Sequence, residues 1–253
     1  MNAVAKKQNV SPEKAVSEFV ERLRKAAGGN VLSVILYGSA AGGEFHPEFS
    51  NVNVLCILRE ISFATLSTLS PVAAWWAGQG HPAPLLMTGE ELQSSADVFS
   101  IELLDMKQYH RVLFGEDVLG GLTVPMHLHR AQLEYELREK LILLRERLLL
   151  AAKDDKQLWE LLLGSLGTFT TLFRHALIAL GDATPASKRE AVQRLAARVP
   201  FEGAAFMQLL DIREKRADRG KINAKDVAAG YLLAIQQTVA AVDTMLDSSG
   251  GAG

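Results

Sequence analysis

The sequence predicts an α+β protein in two parts, a mixed β-sheet with helices followed by an all-helical bundle. Three observations carry that prediction. Two apolar runs of strand character, "NVLSVILY" and "NVNVLCIL", flank a glycine-containing turn in the first half. A third run, "DVFSIELLDM", alternates in the same way, with Phe99, Ile101 and Leu103 expected on one face of a strand and Ser100 and Glu102 on the other. From about residue 127 onward helical periodicity is continuous. These boundaries divide the chain into a first domain over 1–124, a helical bundle over 125–246 and a disordered tail over 247–253.

Each element has a local reason. Ser11 followed by Pro12 starts a helix, and Val16, Phe19, Val20 and Leu23 then share one stripe until Gly28 and Gly29 end it. A helix covers 62–78, "PAPLLMT" is a short strand, and Thr88 with Glu91 forms a capping box that opens a further helical turn. In the second half Asp154 and Asp155 open a helix, Pro185 lies near the start of another, and Pro200 separates the last helices. The leucines between Leu133 and Leu150 are read as bundle core.

The composition sets limits on function. At 253 residues and 48% hydrophobic content the chain has ample material for a packed core. A formal net charge of -2 and a pI near 6.3 give no basic field to hold nucleic acid, so nucleic acid is not an expected partner. The uncharged stretch from Ile61 to Gly89 is interrupted by Pro71, Pro82 and Pro84, which argues against a membrane span. Cys56 has no second cysteine to pair with, and no apolar stretch follows the lysines of "MNAVAKKQNV"; both point to the cytoplasm. His127 and His129 diverge if they begin a helix and so make no zinc site. Arg174 and His175 lie in a strongly apolar helix and are expected to reach an edge or a cleft between the domains. The charge run over 211–226 interleaves both signs, as a solvated helix end and loop do.

The chemistry concentrates in "YGSAAGGEFHPEFSNVNVLCIL". Gly38 lets a backbone approach a triphosphate closely, and the Ser39 hydroxyl donates to phosphate oxygens. A strand ending in Gly-Ser, then a second strand opening with two polar residues two apart, resembles the DNA polymerase β-like nucleotidyltransferase superfamily. Among its branches it is most similar to proteins with a kanamycin-nucleotidyltransferase-type core and a helical C-terminal domain. The motifs span residues 31 to 118; the helical half fits by architecture alone.

In that family Gly-Ser is followed by an acidic-hydrophobic-acidic triplet and by a third acid on a later strand. The resemblance implies a nucleoside triphosphate at Gly38 and Ser39, and Mg²⁺ at Asn51, Asn53 and Glu102. Glu102 is then the third acid and the catalytic carboxylate. Asn51 and Asn53 stand where the paired acids belong, so two negative charges are missing and the magnesium site is weakened. Read without the family, the same asparagines tie a loop to a strand end through side-chain hydrogen bonds. Three functions follow. The leading one is a catalytically impaired nucleotidyltransferase-like protein, a pseudoenzyme that still binds a nucleotide or a protein partner. The second is an active magnesium-dependent transferase that moves a nucleoside monophosphate onto a hydroxyl acceptor. The third is a non-catalytic scaffold that forms a homodimer through its helical half.

Overall fold

Pro12 sits in the first turn of α1 (Pro12–Ala27), where its missing N–H costs nothing. The computed structural model describes residues 12–42 and 51–250, so Ser11, the expected cap, lies outside the described residues. The chain divides into two compact units, Met1–Met126 and His127–Gly253.

The first unit is a four-stranded sheet covered on both faces. Its strands are β1 (Val31–Tyr37), β2 (Asn53–Leu58), β3 (Leu85–Thr88) and β4 (His110–Gly115), in the order β3-β2-β1-β4. β1 is antiparallel to both β2 and β4, and β2 is parallel to β3. Because side chains alternate along a strand, β1 and β2 supply two cores at once. Val34, Leu36, Val54, Cys56 and Leu58 face α1 and α2 (Phe63–Gly78), where Phe19 packs on Trp76 with ring centroids 4.7 Å apart. Ile35, Leu55 and Ile57 face the other way, onto Leu92 of α3 (Gly89–Ser94) and Leu103 and Met106 of α4 (Ser100–Gln108). Burial also pushes the Cys56 thiol up to about 12, so it stays protonated and packs as a small apolar group.

The caps form as the sequence requires. Ser62 accepts from Thr65 N at the start of α2, and Thr88 and Glu91 make a reciprocal capping box on α3. The expected strand over "DVFSIELLDM" is corrected: α4 occupies it, and the strand that pairs with β1 is β4, further along. The alternation misleads because Ser100, Leu103 and Met106, three residues apart, are the buried stripe, while Phe99 is exposed. The segment Glu-Leu-Leu-Asp-Met-Lys-Gln also contains six strong helix formers.

The second unit is a bundle of five helices: α5 (His129–Ala151), α6 (Asp155–Ala179), α7 (Lys188–Arg198), α8 (Ala204–Arg213) and α9 (Ala224–Gly250). Asp154 caps α6, accepting from Lys156 N and Gln157 N. Leu133, Leu137, Leu141 and Leu144 of α5 are buried, as expected of a bundle stripe, but the core reading stops short of Leu150: Leu149 and Leu150 are exposed. By length and composition α6 is long and apolar enough to cross a membrane, yet its apolar residues include Leu162, Leu166, Phe169 and Phe173, fully packed inside the bundle.

Two expectations about this unit change. His175 reaches neither an edge nor a cleft; it is fully buried, and its Nδ1 lies 3.0 Å from Nε2 of buried His129. Each ring offers one nitrogen to the other inside the bundle, a pairing that neither residue shows singly. The tail expected to be disordered from 247 instead continues α9 to Gly250. Once a helix is long, each added residue gains a hydrogen bond without a new nucleation cost.

Candidate functional site at the Gly38 end of the sheet

The register of the sheet assembles one row of side chains. Tyr37 at the end of β1 is opposite Asn53 on β2 and opposite His110 on β4. Directly opposed residues project to the same face, so Asn53, Tyr37 and His110 stand side by side. The chain then turns: Gly38–Ala40 forms a 3₁₀ turn, Gly38 N donates to Tyr109 O at 2.9 Å, and Gly38 O accepts from Ala41 N and Gly42 N. Gly38 adopts φ +77°, a conformation that favours glycine. A Cβ at that position would lie 3.4 Å from Asn53 Nδ2, which places the Asn53 amide beside the turn.

Each polar member of the row is neutral or fixed in place. Burial raises the Tyr37 phenol above its ordinary value, with nearby Cys56 adding to the shift, so the hydroxyl keeps its proton. His110 is anchored at both ring nitrogens, Nδ1 3.0 Å from Lys107 O and Nε2 3.0 Å from Asp117 Oδ1. Asp117 is held below the usual carboxylate range, chiefly by the Gly120 N–H and also by His110 and the Leu119 N–H. The Ser39 hydroxyl and the side-chain amides of Asn51 and Asn53 have no hydrogen-bond partner among the described residues.

The sequence-derived residues are only partly gathered. Gly38, Ser39 and Asn53 lie together. Asn51 is exposed and precedes β2 instead of lying within it. The cause is the turn: the register that pairs 37 with 53 would oppose 51 to Ser39, which has already left the ladder. Glu102 is not on a strand at all. It is an exposed residue of α4, a helix whose Leu103 and Met106 pack beneath the sheet. Tyr37, Tyr109 and His110 are not among the sequence-derived site residues; the signal for Tyr109 and His110 is the strand run "YHRVLFG", which ends in glycine, and Tyr37 closes the run "NVLSVILY".

Magnesium is the ion that the resemblance implies, and the donors at this end do not fit it. Mg²⁺ is normally held by one or two carboxylates in addition to substrate phosphates. None of the four described strands contains an aspartate or a glutamate. No group of three histidine, cysteine, aspartate or glutamate side chains able to hold a metal occurs among the described residues. Glu44 and Glu48 lie outside the described residues, and Asp97 lies in the turn before α4.

No family model matches this sequence, and no curated protein sequence matches it. Among solved structures the chain is similar to a spectinomycin adenyltransferase from Enterococcus faecialis, determined with ATP and spectinomycin. The TM-score is 0.56 at 15% identity, over 89% of this chain and 98% of that one. The protein has a nucleotidyltransferase-like fold. At that identity the likeness concerns the fold, and the chemistry of the site has to be argued from its own residues. In this chain those residues are a glycine-serine turn and a neutral amide at the start of β2.

Proposed function

We propose that this is a nucleotidyltransferase-like protein that binds a nucleoside triphosphate at the Gly38–Ser39 turn and does not carry out metal-dependent nucleotidyl transfer. One observation carries the reading: the turn, the Ser39 hydroxyl and Asn53 are together at one sheet end, and no described strand supplies a carboxylate. Transfer in this class rests on ions that offset charge building up on the phosphoryl group. Amide oxygens at 51 and 53 supply none of the anionic charge that gathers such ions. The protein is proposed to act in the cytoplasm as a nucleotide-responsive pseudoenzyme.

The likeness to an adenyltransferase solved with ATP and an antibiotic supports the second reading, an active enzyme with a hydroxyl-bearing small molecule as acceptor. Thermal unfolding with ATP, GTP, CTP and UTP separates these readings when paired with a transfer assay. A nucleotide held only by the folded state raises stability, by about 2.7 kcal/mol at a hundredfold excess over Kd. The proposal expects a shift with at least one nucleotide and no transfer. Turnover by the unaltered protein supports the enzyme, and no shift at millimolar concentration supports a scaffold that associates through its helical unit.

A further inference from the structure

The asparagine at position 53 does more than remove a charge. A carboxylate at neutral pH only accepts hydrogen bonds, whereas an amide also carries two donor hydrogens. In this structure Nδ2 of Asn53 lies 3.4 Å from the point where a Gly38 Cβ would stand, so the amide nitrogen borders the space that the glycine leaves open. Ser39 adds a hydroxyl, and neither side chain is committed to a partner among the described residues. Tyr37, next in the row, keeps its proton and adds no negative charge.

A phosphate group approaching this turn therefore meets donors and no carboxylate on the described strands; the Asp117 carboxylate beyond β4 is engaged by His110 and the Gly120 N–H. Where carboxylates line such a turn, a divalent cation must stand between two sets of negative oxygens. Here that need is gone. We propose that the Gly38 end of the sheet takes the phosphates of a nucleoside triphosphate directly, without a divalent cation, with Asn53 Nδ2 and Ser39 Oγ as donors. The proposal rests on the nucleotide-binding reading above and specifies how that binding works.

The test is calorimetric titration of ATP into the full chain, once with excess EDTA and once with Mg²⁺, for the unaltered protein, Asn53→Asp and Asn53→Ala. The unaltered protein should bind ATP in EDTA at least as tightly as with Mg²⁺. Asn53→Asp, nearly identical in shape, should weaken binding in EDTA by about tenfold or more, because a charge-assisted donor is lost and a repelling anion is introduced. Asn53→Ala should weaken it less, since it loses the donor without adding charge. Binding that appears only with Mg²⁺ overturns this inference and leaves the nucleotide reading standing; no binding under either condition overturns both. Circular dichroism on each variant confirms the fold, and equal EDTA affinities for all three folded proteins also overturn the role of Asn53.

Discussion

Gly38 and Gly115 share a φ of +77° at opposite ends of the same sheet, yet they meet different surroundings. A Cβ on Gly115 would lie 1.9 Å from the Leu32 carbonyl oxygen and 3.0 Å from Ser33 Cα, so backbone packing alone demands glycine there. Among the described residues a Cβ on Gly38 would meet only the Asn53 amide, at 3.4 Å. Charge is distributed the opposite way from what a triphosphate site suggests. At the Gly115 end Arg24, Lys25, Arg59 and Glu21 line a cavity of about 660 Å³. Those cations have structural work: Arg24 and Lys25 meet the carbonyl end of α1, Arg59 Nε donates to Gly29 O at 2.9 Å, and Arg24 stacks 4.3 Å from the Phe114 ring centroid. At the Gly38 end the Ser39 hydroxyl and the Asn53 amide are neutral, with no hydrogen-bond partner among the described residues, while His110 and Asp117 are tied to each other. The difference separates a glycine and charges that complete the fold from a glycine that borders the Asn53 amide.

The sharpest way to break this comparison is Gly115→Ala. It combines left-handed strain with a backbone clash, so it should cost about 3 kcal/mol or more in urea unfolding; a loss of about 2 kcal/mol or less would put Gly115 in the same class as Gly38. Gly38→Ala should cost less stability, about 1–2 kcal/mol from the left-handed conformation alone, and should remove the thermal shift produced by ATP. Arg59→Ala loses one backbone hydrogen bond, about 1 kcal/mol at most, and should leave the ATP shift unchanged, since it lies at the other end.

The smallest effect is a pH dependence at the Gly38 end. Asp117 has a depressed folded-state pKa, so its contribution to stability is complete above the ordinary carboxylate value and is lost as pH falls through the folded one. Asp117→Asn should therefore flatten the acid limb of stability against pH and leave the slope above pH 6 unchanged. An unchanged acid limb would mean that the His110 and Gly120 contacts contribute nothing in solution.

Much of this arrangement was legible in the chain. β1 and β2 are apolar runs bounded by turn residues, and the α1 stripe and the Thr88–Glu91 box are local patterns that need no tertiary information. The likeness in motif around Gly38 and Ser39 led to the fold that the structural neighbour shares. What failed depended on contacts made at a distance. "DVFSIELLDM" satisfies both a two-residue and a three-residue period, and only the apolar floor of Leu92, Leu119 and Leu122 decides for the helix. That choice moved the strand beside β1 to residues 110–115 and took Glu102 off the sheet. Asn51 fell outside β2 because a turn on the neighbouring strand ended the ladder. The His129–His175 pair joins positions 46 residues apart, a distance that no local pattern encodes.

The most direct measurement is a crystal of the full chain soaked with ATP and Mn²⁺, with anomalous scattering used to locate the metal. The account predicts triphosphate density against the Gly38–Ser39 turn and the Asn53 amide, with no manganese held by residues 51 or 53. A manganese peak coordinated by Asn53 and bridging to the phosphates would contradict it, as would a turn that stays empty of nucleotide.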